Sequence, residues 1–114
     1  MINDTVPIGA WIEPKSRLLD LGCGDGTLLR RLIDDYQVQG YGLEIDPDSI
    51  NQCIQKGLNV IEQDLNKGLK NFPDNSFDTV LMSQTLQALR NPHLVLDEML
   101  RIGNRCIVTF PNFG

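Results

Sequence analysis

Along the chain, short runs of apolar residues alternate with segments whose apolar residues have helical spacing. Five short apolar runs predict strands, because each is bounded by glycine, proline or polar residues. The predicted strands cover 17–21, 38–44, 59–62, 77–82 and 106–110. Apolar positions three and four residues apart predict a helix over 27–36. The pairs Asp46-Pro47 and Asn91-Pro92 each place an N-cap acceptor before a proline, so a further helix is expected to begin at each pair.

Strands that alternate with helices predict a fold class. Such strands pair in parallel through right-handed crossovers, so we expect an α/β fold: an open, mostly parallel, Rossmann-like sheet with helices on both faces. The 114 residues suit a single domain over 1–114. The pattern stops soon after the fifth strand, so we expect an N-terminal core truncated there, with that strand's edge covered by missing strands or by another chain. Segment 67–75 is rich in turn residues and is expected to be mostly loop.

Composition and charge narrow the range of partners. The chain has 10 Lys and Arg against 15 Asp and Glu, a formal net charge of −5. Duplex nucleic acid and anionic membranes both attract dense positive charge, so neither is expected as a partner. Three widely spaced cysteines and one histidine predict neither a metal site nor a disulfide framework. The sequence has no leader pattern and no apolar run of bilayer length, so we expect a cytoplasmic protein.

The most informative stretch is Leu-Asp-Leu-Gly-Cys-Gly-Asp-Gly at 19–26, where a strand passes through glycines into a helix. Glycines there let the backbone approach a ligand closely. Dinucleotide sites use a related Gly-x-Gly-x-x-Gly turn, but here Asp20 and Asp25 flank a Gly-x-Gly-x-Gly turn. A carboxylate about 4 Å from a pyrophosphate oxygen costs roughly 4 kcal/mol at an effective dielectric constant near 20, and near a cation it contributes a similar gain. The loop therefore favours a cationic ligand and disfavours a nucleotide-binding dehydrogenase fragment.

Two acids after the next two strands extend this hypothesis. Glu44 ends the second strand, where a carboxylate can accept both hydroxyls of a ribose. Asp64 follows the third strand, where it can accept a hydrogen bond from an adenine amino group. A glycine loop, a ribose acid and an adenine acid after successive strands together predict a nucleoside site.

These motifs resemble those of class I S-adenosylmethionine-dependent methyltransferases, and more narrowly the chain resembles the methionine-biosynthesis protein W (MetW) family. The stretches that carry the narrower resemblance are LDLGCGDGTLL (19–29), GYGLEID (40–46), SQTLQAL (83–89) and FPNFG (110–114). The resemblance spans nearly the whole chain, and 83–89 is its most specific stretch.

The resemblance implies a site for S-adenosylmethionine or S-adenosylhomocysteine. Asp20 and the glycine loop would surround the methionine part of the ligand, while the two acids just described would hold the ribose and the adenine amino group. Ile45 and Leu65 would sandwich the adenine, and Ser83 would lie near the sulfonium. The implied cofactor-binding residues are Asp20, Gly22, Cys23, Gly24, Gly26, Glu44, Ile45, Asp64, Leu65 and Ser83.

Two functions follow from the resemblance. The first is a methyltransferase linked to methionine biosynthesis, with an unknown acceptor that would face Ser83, Gln84 and Gln87. The family's fold has seven strands against five predicted here, which leaves the acceptor side open. The second is a non-catalytic or regulatory partner of homoserine O-acyltransferase, with which the family is associated. No residue is identified as a base that would deprotonate the methyl acceptor, so the catalytic residues stay unassigned.

Several of these residues also have a purely structural interpretation. Gly24 and Gly26 would then permit tight strand–helix packing, and Glu44 would be a solvated carboxylate. Cys23 is expected to meet a ligand only through its backbone, because no basic residue nearby would lower its pKa for a nucleophilic role. His93 follows a helix start and is expected at the surface.

Overall fold

The computed structural model describes residues 8–83 and 85–110. Strands within these residues are β1 (Arg17–Leu21), β2 (Gln39–Glu44), β3 (Asn59–Glu62), β4 (Phe77–Ser83) and β5 (Gly103–Thr109). Helices are α1 (Thr27–Tyr36), α2 (Pro47–Gln55) and α3 (Pro92–Ile102). Short 3-10 helices cover Ile8–Trp11, Leu65–Lys67 and Leu86–Ala88. Gln84, and residues 111–114 of the FPNFG stretch, lie outside the described part of the chain.

All five described strands are parallel and lie in one sheet in the order β3-β2-β1-β4-β5. The chain runs outward from β1 to β3, then crosses back to place β4 on the other side of β1. This reversal between β1 and β4 is where ligands bind in open α/β sheets, outside the carboxyl ends of the strands. The predicted open, parallel, Rossmann-like sheet is confirmed.

Helices cover both faces of the sheet, as expected. Leu18 of β1 packs with Leu29 of α1 and Cys53 of α2 on one face. Leu19 packs on the other face with Met99 of α3. β1 is buried on both faces after the exposed Arg17, and its buried residues are apolar except Asp20, which lies on the face of Leu18. No helix in the described residues has the length and apolarity that a membrane span needs.

The predicted start of the fifth strand is wrong by three residues. It begins at Gly103, directly after α3, and ends at Thr109, before Phe110. Apolar periodicity missed the start because Asn104 and Arg105 are exposed. Backbone pairing with β4 adds these residues, and a Cβ at Gly103 would come within 2.5 Å of Val80.

The two predicted cap-and-proline helix starts have different outcomes. Asp46 caps α2 as predicted, since its carboxylate accepts a hydrogen bond from Ser49 N at 2.9 Å and Pro47 occupies the first helical turn. α3 does begin at Pro92, but Asn91 makes no side-chain cap hydrogen bond, so the predicted cap there is wrong. Asn91 has φ −129° and ψ 75°, a conformation outside the extended one that Asp46 adopts.

The predicted loop at 67–75 holds no strand or α-helix.

Candidate functional site

A cleft of about 220 Å³ opens beyond the carboxyl ends of β1, β2, β3 and β4. Five of the ten residues predicted for a ligand site line it: Gly22, Glu44, Ile45, Asp64 and Leu65. They come from three separate segments that the parallel strands bring to one edge of the sheet. The cleft therefore lies at the reversal of strand order, where the fold class favours a site.

The glycine loop after β1 is fastened to the end of β2. The backbone N–H groups of Gly22 and Cys23 both donate to Leu43 O, at 2.8 and 3.1 Å. Gly22, Gly24 and Gly26 all have positive φ, at +71°, +58° and +85°. Such values favour glycine, so the loop depends on these residues whatever it binds.

The three glycines differ in what surrounds them. A Cβ at Gly24 would meet nothing within 4 Å, so the loop is open to solvent there. A Cβ at Gly26 would lie 2.3 Å from Leu58 Cδ1, which makes Gly26 a packing glycine beneath α1. The structural interpretation therefore fits Gly26, and open space for a ligand lies at Gly24.

Glu44 is held against the glycine loop by three backbone donors. Gly24 N donates to Oε1 at 2.8 Å, while the N–H groups of Ile45 and Asp46 donate to Oε2 at 3.0 Å each. An ionised carboxylate offers about four acceptor positions, two on each oxygen, so the three donors leave about one position, on Oε1. Glu44 is thus a fixed, charged acceptor on the cleft wall.

Asp20 lies behind this wall, on β1. Its side chain is buried, with 2% of the residue exposed, and Oδ1 has no hydrogen-bond partner in the described residues. Burial raises the pKa of Asp20 to about 7, and the negative charge of Glu44 adds to the rise. The predicted residue is therefore close to Glu44 and the loop, but it does not line the cleft.

The Cys23 thiol points away from the cleft into the core. A Cβ at position 42 would lie 2.5 Å from Cys23 Sγ, so Gly42 makes room for it. Its Sγ is 3.7 Å from Cys53 Sγ, and the Cys53 thiol donates to Gly24 O at 3.2 Å. Burial, followed by the nearby charge of Asp20, raises the pKa of Cys23 above its ordinary value. A buried thiol of this kind is a poor nucleophile, in agreement with the sequence argument.

The residues predicted to contact adenine differ in how accessible they are to a ligand. Asp64 caps the 3-10 helix Leu65–Lys67, because its Oδ1 accepts a hydrogen bond from Asn66 N at 2.9 Å. Leu65 is 7% exposed and belongs mainly to the core, whereas Ile45 is 53% exposed at the rim of the cleft. Of these two apolar residues, Ile45 is thus the accessible one.

Ser83 does not line the cleft. Its hydroxyl accepts a hydrogen bond from Thr109 Oγ1 at 3.1 Å, and its carbonyl accepts one from Thr85 Oγ1 at 2.9 Å. Thr85, which the sequence reasoning missed, lines the cleft and stands over Gly22, where a Cβ would come within 2.9 Å of its hydroxyl. The signal for Thr85 was its position just after the carboxyl end of β4.

Gln63 is a second lining residue that the sequence reasoning missed. Its Nε2 donates to Gly68 O and Asn71 Oδ1, both at 2.9 Å, and Asn71 Nδ2 donates back to Gln63 Oε1 at 2.8 Å. This reciprocal amide pair ties the start of the loop after β3 to its later part. The sequence signal for Gln63 was its position just after a parallel strand, as for Asp64. Gln87 and His93 are both exposed, as predicted for His93.

Comparison with known proteins gives concordant results. The model of the family described as "Methionine biosynthesis protein MetW" matches residues 2–114. The bifunctional methionine biosynthesis protein MetXA/MetW of Rhodopirellula baltica is 41% identical over 121 residues, which cover 99% of this chain and 18% of that protein. The chain thus spans less than a fifth of that relative.

Solved structures share the fold. A SAM-dependent methyltransferase from Archaeoglobus fulgidus superposes with a TM-score of 0.61 and 34% identity, covering 74% of this chain and 36% of that one. The [4+2]-cyclase SpnF superposes with a TM-score of 0.71 and 26% identity, covering 81% of this chain and 36% of that one. Proteins named for different reactions, a methyltransferase and a cyclase, therefore share this sheet architecture.

Proposed function

Because this chain belongs to the MetW family of methionine biosynthesis proteins, we propose that it binds S-adenosylmethionine in the cleft beyond β1, β2 and β3. It is a methyltransferase-like protein linked to methionine biosynthesis. The observation that carries the proposal is the Glu44 carboxylate, fixed on the cleft wall by three backbone donors and facing the segment of Asp64.

In the proposed arrangement each wall of the cleft meets one part of the ligand. Glu44 accepts a hydrogen bond from a ribose hydroxyl at the one acceptor position that its backbone donors leave on Oε1. Ile45 contributes apolar surface to the adenine, and Asp64 accepts from the adenine amino group. The methionine part extends along Gly22 and Gly24, toward the side where the loop is open.

Size supports an extended pose of this kind. Ligand pockets usually measure about 300–1,000 Å³, and the present cleft measures about 220 Å³. The nucleoside would fill the cleft, and the methionine part would follow the glycine loop from Gly22, two residues after Asp20, to Gly24, where a Cβ would meet nothing within 4 Å.

We further propose methyl transfer to an unknown acceptor. S-adenosylmethionine supplies a methyl group that its positive sulfur already activates. The chain's own contribution would be to orient the ligand, because the described side chains around the cleft include no free base suited to the acceptor. Glu44 is engaged with backbone donors, and the Ser83 hydroxyl is held by Thr109.

Calorimetric titration with S-adenosylmethionine, S-adenosylhomocysteine and NAD tests the binding proposal. We expect heat from the first two ligands and none from NAD, because carboxylates beside the glycine loop disfavour a pyrophosphate. Tight NAD binding with no response to the two sulfur compounds would reject the assignment of the cleft.

A second candidate function is control of homoserine O-acyltransferase by contact. The observation that favours it is the Rhodopirellula relative, whose name joins MetXA and MetW in one bifunctional protein. The test is co-purification of this chain with the acyltransferase, followed by acyltransferase assays with and without the chain and with S-adenosylmethionine added. A changed rate supports regulation. No capture and an unchanged rate contradict it, whereas methyl transfer by the isolated chain supports the enzyme.

A further inference from the structure

Two carboxylates at neighbouring strand ends have very different surroundings. Glu44 receives three backbone hydrogen bonds, from Gly24, Ile45 and Asp46. Asp20 is 2% exposed, and its Oδ1 has no hydrogen-bond partner in the described residues. The same chemical group therefore receives three donors at one position, whereas at the other one of its oxygens is buried without a partner in the described residues.

Among the described residues, the elements packed around Asp20 offer it no positive charge. The residues opposite it in the sheet are Gly42 on β2 and Leu81 on β4. The titratable groups that face it are Glu44, whose negative charge acts on it, and the Cys23 thiol, on which its own charge acts. Lys56, whose ammonium group contacts the glycine loop, donates to Asp25 O instead.

A carboxylate in such surroundings is costly to keep ionised. A buried charge without a counter-ion neutralises by taking up a proton, and a second carboxylate nearby has the same effect. Both causes raise the pKa of Asp20 to about 7. Near neutral pH, Asp20 thus exchanges readily between its two forms, and a small change in nearby charge decides which one is populated.

Resting on the proposed function, we infer that binding of a cationic adenosyl ligand expels one proton from Asp20. The O–H bond of the carboxylic acid breaks, the electron pair stays on the carboxylate and the proton passes to solvent. The ligand's ammonium or sulfonium group then supplies the counter-charge that the fold withholds. Asp20 would thereby make the cleft select for positive charge, with an affinity that depends on pH.

The test is calorimetry of S-adenosylmethionine binding in pairs of buffers with different ionisation enthalpies, between pH 5.5 and 7. The ligand's own α-amino group, with a pKa of about 7.7–8.0, stays protonated in this window. We expect nearly one proton released per ligand at pH 6, and an affinity that falls about tenfold for each pH unit below 7. Adenosine, which has no cation, should bind without releasing a proton.

Asp20→Asn is the matched variant, because the carboxamide keeps the shape of the neutral acid and cannot titrate. It should bind S-adenosylmethionine with no proton release and little pH dependence over the same range. A variant that keeps the wild-type pH profile, or a wild type that binds without releasing protons, overturns the inference and leaves the proposed function standing. Failure of both S-adenosylmethionine and adenosine to bind at any pH removes the proposed function itself.

A measurement on the unchanged chain covers the case in which the variant does not fold. The carboxyl carbon of Asp20 is followed by NMR with ¹³C-labelled aspartate, with and without S-adenosylmethionine. We expect a titration midpoint near pH 7 in the free protein and a lower one in the complex. An unchanged midpoint would overturn the inference.

Discussion

Replacing Asp20 by asparagine should change how the stability of the ligand-free protein depends on pH. The folded-state pKa of Asp20 is about 7, against 3.8 for the unperturbed group. The folded protein therefore keeps a proton that the unfolded chain releases above pH 4. Its contribution to the free energy of unfolding is complete below about pH 4, declines as the pH rises, and is lost above about pH 7.

The size of the effect follows from the shift. One pKa unit corresponds to about 1.4 kcal/mol, so the full change between pH 4 and pH 8 is about 4 kcal/mol. In the practical window from pH 5.5 to 8, about 1.5 units of titration remain, which is about 2 kcal/mol. Asp20→Asn removes this titration, so it should gain about 2 kcal/mol of stability relative to wild type across that window. The difference between the two proteins is the measured quantity, since other groups titrate equally in both.

Urea unfolding at half-unit pH steps measures this difference. Asp25→Asn is the control, because Asp25 lies in the same loop but is exposed, and its pKa is lowered by the hydrogen bond from Thr27 N. Its difference from wild type should stay flat between pH 5.5 and 8, where the carboxylate is ionised in both folded and unfolded chains. If the Asp20→Asn difference is equally flat, Asp20 is ionised in the folded protein and the argument from burial is refuted.

Two further predictions concern the cleft. Gly24→Ala should lower the free energy of unfolding by about 1–2 kcal/mol, because alanine is strained in the left-handed backbone conformation there. Gly26→Ala should lower it by about 1–3 kcal/mol more, because the added Cβ also meets Leu58. Equal losses for the two variants in urea unfolding would contradict the packing difference. Glu44→Ala should weaken S-adenosylmethionine binding at least about tenfold in calorimetry, through loss of charge-assisted hydrogen bonds. Asp46→Ala should leave affinity nearly unchanged and cost about 1 kcal/mol of stability as a lost helix cap; equal affinity losses would show that the ribose site is misplaced.

Much of the fold could be predicted because its signals are local. Strands buried on both faces produce short apolar runs, and the alternation with helices then fixes parallel pairing. The start of β5 escaped prediction, because Asn104 and Arg105 are held in the strand by backbone pairing with β4 while their side chains face solvent. Nothing in the residues themselves marks that pairing.

The site could be predicted as far as strand ends determine it. Glu44 ends β2 and Asp64 comes shortly after β3, and parallel strands bring such residues to one edge of the sheet. The roles of Cys23 and Ser83 depend on contacts between distant segments: Cys23 meets Cys53 in α2, and the Ser83 hydroxyl accepts from Thr109. Such contacts depend on how helices and strands pack, which motif spacing does not encode.

The chemistry of the cleft depends on two carboxylates with unlike surroundings. Three backbone N–H groups hold Glu44 in place, while burial raises the pKa of Asp20. A fixed anion suits recognition of neutral hydroxyls, and a group that titrates near neutral pH suits recognition of a charge. Because the fold also occurs in a [4+2]-cyclase, architecture alone does not decide between methyl transfer and ligand-dependent control of a partner. Both functions need the ligand's positive charge to be recognised, so the protonation state of Asp20 is relevant to either one.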